Sequence, residues 1–184
     1  YDSFICYLWP GYDDFWEYLA AKSLVMNTNL SSRLASLIEE VSSHAQEMDI
    51  IAFSMGCRVT LEALKKHNQI HVNNLFMMAP AVDNESLERG ERYFHSVQNA
   101  KNVYIFHSRG DGTLSWAYPL AEGDRALGSG GVENQLNQPH VRIVDSSAHI
   151  QGHGDYSSSS FIFNIIRDIL SSQVDPTQGV AAAD

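Results

Sequence analysis

Basic residues are scarce in this chain of 184. Twelve Lys and Arg stand against 22 Asp and Glu, for a formal net charge of −10. That balance argues against a nucleic-acid partner, which would require a basic stripe. It speaks mainly to solubility and leaves the chemistry of a substrate open. Long apolar runs are missing too: every stretch falls far short of the roughly 20 residues that a membrane span needs. Only two cysteines occur, Cys6 and Cys57. Neither belongs to a C-x-x-C motif, so both are expected to be buried, unpaired thiols. Spacing alone leaves a disulfide open in an oxidising compartment. There is no internal repeat, and no basic segment precedes the first core-like strand. No signal peptide is therefore read, and the expected location is cytoplasmic. The glycine run Gly128-Ser129-Gly130-Gly131 lacks the Lys-Ser/Thr ending of a phosphate loop and is expected to be a flexible loop.

What remains is a chain long enough for one domain with a substantial core. Its 44% hydrophobic and 10% aromatic content suits a globular protein. Apolar runs alternate with helical patterns. Strands are expected at Phe4–Trp9, Ile50–Phe53, Asn74–Met78, Val103–His107 and Val141–Val144. Helices are expected from Phe15 to about Leu24, over Ser31–Val41, Met55–Lys66 and Ser86–Phe94, in a short piece over Leu114–Leu120 ended near Pro119, and over Ser159–Leu170. About five mostly parallel strands with helices on both faces make an α/β fold. The expected organisation is a single domain over residues 1–170, with a loose tail over 171–184.

The most informative stretch is Asp49 to Leu61. A short apolar run leads into Ala52-Phe53-Ser54-Met55-Gly56, and a helical pattern follows. A strand that turns sharply into a helix, with Ser at the apex and small residues two before and two after it, is the nucleophile elbow of α/β-hydrolases. Ala52 and Gly56 meet the size requirement. The Met55 N–H, at the helix start, then lies where a developing oxyanion would sit. A triad also needs an acid and a His after later strands, in the order Ser, Asp, His. Asp111 lies in a Gly-bracketed turn after Val103–His107. His149 and His153 lie in the loop after Val141–Val144. Asp83 competes with Asp111, but its alternative role is to cap the helix starting near Ser86. Chain order favours Asp111. His153 is favoured over His149 because it lies further out of its strand. A zinc site at His149 and His153 is disfavoured, since Gly152 and Gly154 argue for a loop rather than a helix. No metal and no cofactor is expected. His107 reads as a strand-end residue.

These residues also resemble a known family. Phe53-Ser54-Met55-Gly56-Cys57-Arg58 with Leu61-Glu62-Ala63-Leu64 resembles the H-S-M-G-x-R…L-x-A-L elbow of a bacterial α/β-hydrolase family that is esterase- or lipase-like by fold. Tyr7-Leu8-Trp9-Pro10-Gly11, Met78-Ala79-Pro80-Ala81-Val82-Asp83, the segment His107–Ser115 and Gly152-His153-Gly154-Asp155-Tyr156 resemble its other landmarks. Phe53 stands where the family has His. The resemblance implies Ser54 as nucleophile, Asp111 as acid and His153 as base, cleaving a small-molecule ester through an acyl-enzyme. It also implies that the family's N-terminal strands are missing, with the His-Gly loop that gives the second oxyanion donor. The turn Trp9-Pro10-Gly11-Tyr12, after the first expected strand, is the candidate replacement through the N–H of Gly11 or Tyr12, since Pro10 has no N–H to offer. A missing sheet edge would leave an exposed strand, and hence suggests a homodimer.

Overall fold

The computed structural model describes residues 3–8, 23, 29–66 and 72–171. Helix α1 spans Asn29–His44 and strand β1 Asp49–Phe53. Ser54 then turns the chain into α2, Met55–Lys65. Strand β2 (Val72–Met78), the single turn α3 (Phe94–Val97) and strand β3 (Ala100–His107) follow. A wide π-type turn over Thr113–Ala117 runs into α4, Tyr118–Glu122. Then come the short α5 (Leu127–Gly130), strand β4 (Val141–Asp145), a 3-10 turn over His153–Ser158, and α6, Ser160–Ser171.

The four strands among the described residues are all parallel, in the order β1-β2-β3-β4. The central pair explains why. Along β2 and β3, successive residues alternate between two cores. Leu75, Met77, Val103 and Ile105 join the first, with Leu34 and Ile38 of α1 and Leu61 and Leu64 of α2. Phe76, Met78, Tyr104 and Phe106 join the second, with Val144 and with Ile162 and Ile166 of α6. A strand covered on both faces must be apolar throughout, which is the signature of a parallel strand in an α/β layer. Helix α2 is wedged between sheet and α1, and nearly every residue from Met55 to Leu64 is buried. Helix α6 instead buries one stripe, Ile162 and Ile166, and leaves Phe163 outside.

Several expectations are corrected. Residues 3–8 form no strand, and Phe4, Ile5 and Leu8 are 89%, 56% and 85% exposed. An extended segment gains its stability from strand pairing, and among the described residues no strand pairs with this one, which is tied down only through the Tyr7 hydroxyl donating to Leu30 O at 3.2 Å and the Tyr7 ring against the core. Cys6 is consequently exposed rather than buried, whereas Cys57 is buried as expected. The helix expected over Ser86–Phe94 is a chain of turns, interrupted by Gly90 at φ +95°. Pro119 does not end a helix but sits in the first turn of α4, where its missing N–H has no intrahelical partner to lose. The expected glycine loop is α5, and it is buried. Of the helix expected over Phe15–Leu24, every position except residue 23 lies outside the described residues. Ser171 closes α6, and residues 172–184 of the expected tail lie outside the described residues.

Gly128 shows how closely the loops above the sheet approach. A Cβ there would sit 2.5 Å from the Ala79 carbonyl carbon and 2.7 Å from the Pro80 nitrogen. Both are backbone atoms that cannot swing aside. Gly128→Ala is expected to destabilise the protein by about 1–3 kcal/mol, the usual cost of overpacking. Urea unfolding of the two proteins measures it; equal midpoints would refute the close approach.

Candidate active site

The site is built at the carboxyl ends of β1, β3 and β4. Ser54 leaves β1 at φ 52° and ψ −123°, a backbone region that residues with a Cβ seldom occupy. Holding it costs on the order of 1–3 kcal/mol, so the surroundings must over-determine it. They do. The Ser54 N–H donates to Met78 O at 2.9 Å, and the Ser54 carbonyl accepts from Cys57 N at 3.0 Å and Ala81 N at 3.3 Å. The next strand end is bent the same way: Ala79, after β2, has φ 49° and donates to Phe106 O at 3.0 Å. Met55 opens α2. Its N–H, at the first position of the helix, has no carbonyl one turn back to bond.

Asp111 is fully buried in the turn after β3. Its Oδ1 accepts from Leu114 N at 3.0 Å, and its Oδ2 lies 2.7 Å from His153 Nδ1. The other ring nitrogen, His153 Nε2, lies 2.9 Å from Ser54 Oγ. One neutral tautomer satisfies both contacts. Nδ1–H donates to the carboxylate, and Nε2 accepts from the hydroxyl. The three side chains thus form one hydrogen-bonded line across residues 57 and 42 positions apart in sequence, as counted from Ser54 to Asp111 and from Asp111 to His153.

Two devices hold the His loop. Asp155 Oδ2 accepts from Gln151 N at 2.9 Å and Gly152 N at 2.8 Å, fixing the turn that starts at His153. Ser108 Oγ donates to Ile150 O at 2.7 Å and accepts from Gly110 N at 3.0 Å, joining this loop to the one that carries Asp111. Phe53 packs its ring 4.9 Å from that of His153. Tyr156 is buried beneath. Burial, with the Asp111 carboxylate nearby, pushes its phenol well above the ordinary value.

The competing residues lie elsewhere. His149 stacks on Phe161 at 4.0 Å between ring centres. Asp83 does not cap a helix with its side chain; its carboxylate accepts the Tyr118 hydroxyl at 2.7 Å. Cys57 is sealed in the core, and burial pushes its thiol far up. Among the described residues no three His, Cys, Asp or Glu side chains are placed to hold a metal ion. No described helix is long and apolar enough to cross a membrane. Gly11 lies outside the described residues. Sequence reasoning placed Ser108 and Ala81 only within segments that resemble the family's landmarks and gave neither a role, because the loop contact of the one and the backbone N–H of the other are not written in residue spacing.

A parallel sheet with helices on both faces, and a Ser held in a strand-to-helix turn at positive φ, define an α/β-hydrolase. The chain belongs to the family described as "Alpha/beta hydrolase of unknown function (DUF900)", whose model matches residues 2–168. No curated protein and no solved structure matches the chain.

His107, at the end of β3, is 5% exposed, and its Nδ1 is buried without a partner. Burial holds its pKa below the ordinary 6.5. The unfolded chain therefore takes up this proton first. The contribution to stability is full above about pH 6.5 and is lost as pH falls from there toward the folded value. Unfolding free energy measured at pH 7 and pH 5 is expected to drop, and His107→Gln is expected to flatten that drop. An identical pH slope in the variant would be the contrary result.

Proposed function

We propose that this chain is a serine hydrolase that cleaves carboxylic esters through an acyl-enzyme. The observation that carries the reading is the unbroken line from Ser54 Oγ through both nitrogens of His153 to the buried Asp111 carboxylate. In this reading His153 takes the Ser54 proton as the hydroxyl oxygen attacks the ester carbonyl. Asp111 keeps Nδ1 protonated, so that Nε2 is free to act as base, and stabilises the imidazolium that forms. The tetrahedral oxyanion falls to the Met55 N–H at the start of α2, with the Gly11 N–H as the proposed second donor. Collapse expels the alcohol, which receives the proton from His153. Water, deprotonated by the same imidazole, then attacks the acyl-enzyme, and the acid leaves.

The burial of Asp111 supports its role. An acid whose other oxygen is already occupied by a backbone N–H has little freedom to turn away from the imidazole. The exposed side of the site supports it too: His153 keeps 22% of its side chain in contact with solvent, so a substrate carbonyl and a water can reach it. The same arrangement would serve thioesters and amides, which the fold does not discriminate.

The experiment compares hydrolysis of nitrophenyl acetate and nitrophenyl hexanoate by the native chain, Ser54→Ala and Asp111→Asn. Ser54→Ala is expected to leave no turnover above background while keeping the native circular dichroism. Asp111→Asn is expected to lower kcat by about 10⁴, because the amide favours the wrong imidazole tautomer. Undiminished turnover in Ser54→Ala would refute the reading. A folded native chain inert toward esters, thioesters and amides would favour a binding domain on this fold.

A further inference from the structure

A buried cation sits one helical turn beyond the elbow, unused by the reaction described above. Arg58, on α2, is 5% exposed. Its Nε donates to Ala81 O at 2.9 Å, and its Nη2 donates to Tyr118 Oη at 2.9 Å. The same Nη2 lies 3.3 Å from Glu122 Oε1, with both side chains less than a tenth exposed. Tyr118 passes the network on, its hydroxyl donating to Asp83 Oδ1 at 2.7 Å.

The partners' positions in the chain give the cluster its meaning. Ala81 is the residue whose N–H holds the Ser54 carbonyl. Tyr118 and Glu122 form the two ends of α4, the continuation of the turn that Asp111 opens through Leu114 N and Ser115 N. One guanidinium therefore bridges the helix carrying Ser54, the loop clamping it, and the segment carrying Asp111. A buried ion pair is weak evidence for stability, because desolvation offsets most of the attraction. What its fixed fork of donors supplies is direction, which a lysine ammonium does not reproduce.

We propose that Arg58 is a positioning residue, whose guanidinium locks the Asp111 segment to the elbow helix so that the carboxylate meets His153 at hydrogen-bond distance. The kinetic consequence rests on the esterase reading; the locking itself can be read without turnover.

The experiment uses the full chain and the variants Tyr118→Phe, Arg58→Lys and Tyr93→Phe. The last is a matched control. It too removes a buried phenol bonded to a charged group on α2, since Tyr93 Oη donates to Glu62 Oε1 at 2.7 Å, but it leaves in place the contacts of Arg58 with Ala81, Tyr118 and Glu122. The first readout is the His153 Nδ1 proton in low-temperature proton NMR, because a proton in a short bond to a carboxylate resonates far downfield. The second is kcat and KM on nitrophenyl acetate. Tyr118→Phe is expected to shift or broaden the downfield signal and to lower kcat about tenfold or more, with KM within about twofold, as misalignment of reacting groups does. Arg58→Lys is expected to do the same more strongly. Tyr93→Phe is expected to keep both readouts even where it lowers the melting temperature equally.

An unmoved signal and unchanged kcat in Tyr118→Phe and Arg58→Lys would overturn the proposal. So would an equal loss in Tyr93→Phe, which would mark a general effect of lost packing. A native chain that shows the signal but hydrolyses nothing would sink the esterase reading, while the locking still stands or falls on the signal in the variants.

Discussion

The backbone at Ser54 is held in a conformation that costs free energy, and two of the three bonds that hold it come from the end of the neighbouring strand and the turn after it rather than from β1 itself. Met78 O receives the Ser54 N–H, and Ala81 N reaches back to the Ser54 carbonyl. The elbow is thus a property of two adjacent parallel strands whose registers place Phe53 opposite Met78. A slip of one residue would turn every side chain of β1 to the opposite face and separate the turn from its anchors. The tight packing of Gly128 onto Ala79 and Pro80 extends this dependence, since the loop above the sheet presses on the segment that clamps the serine.

The same logic governs the line from Ser54 to Asp111. Each of its two hydrogen bonds joins loops from different strands, so neither could hold if the loops moved independently. Ser108 bridges the Asp111 and His153 loops, and Arg58 bridges the Asp111 segment and the elbow helix. The imidazole is further confined by the Phe53 ring on one side and by the Asp155 carboxylate beneath its turn. A polar site of this kind needs every buried member paired, because an unpaired group in a low-dielectric interior is costly. Asp111, with both oxygens engaged and no exposure, meets that condition.

Much of the fold was legible because burial on two faces forces a continuous apolar run. Asn74–Met78 and Val103–His107 announced themselves in this way, and they are the centre of the sheet. Phe4–Trp9 carried a similar composition and yet forms no strand where it is described, since apolar composition cannot supply a pairing partner. The helix expected over Ser86–Phe94 failed for a local reason, Gly90 at positive φ. The glycine run Gly128–Gly131 failed for a tertiary one, because small residues there serve close approach rather than freedom.

The alternation of strands and helices, the small residues around Ser54 and the chain order of Ser, Asp and His can all be read along the chain. These are consequences of steric size, of periodicity and of the single direction in which a parallel sheet is wound. Only packing between distant loops brought His153 rather than His149, and Asp111 rather than Asp83, into one hydrogen-bonded line with Ser54. It alone recruited Ser108, Ala81 and Phe53, and it closed the network around Arg58. Those choices depend on which loops meet above the sheet, and that is fixed by strand register and packing between segments far apart in the chain. No periodicity along the chain encodes such a meeting.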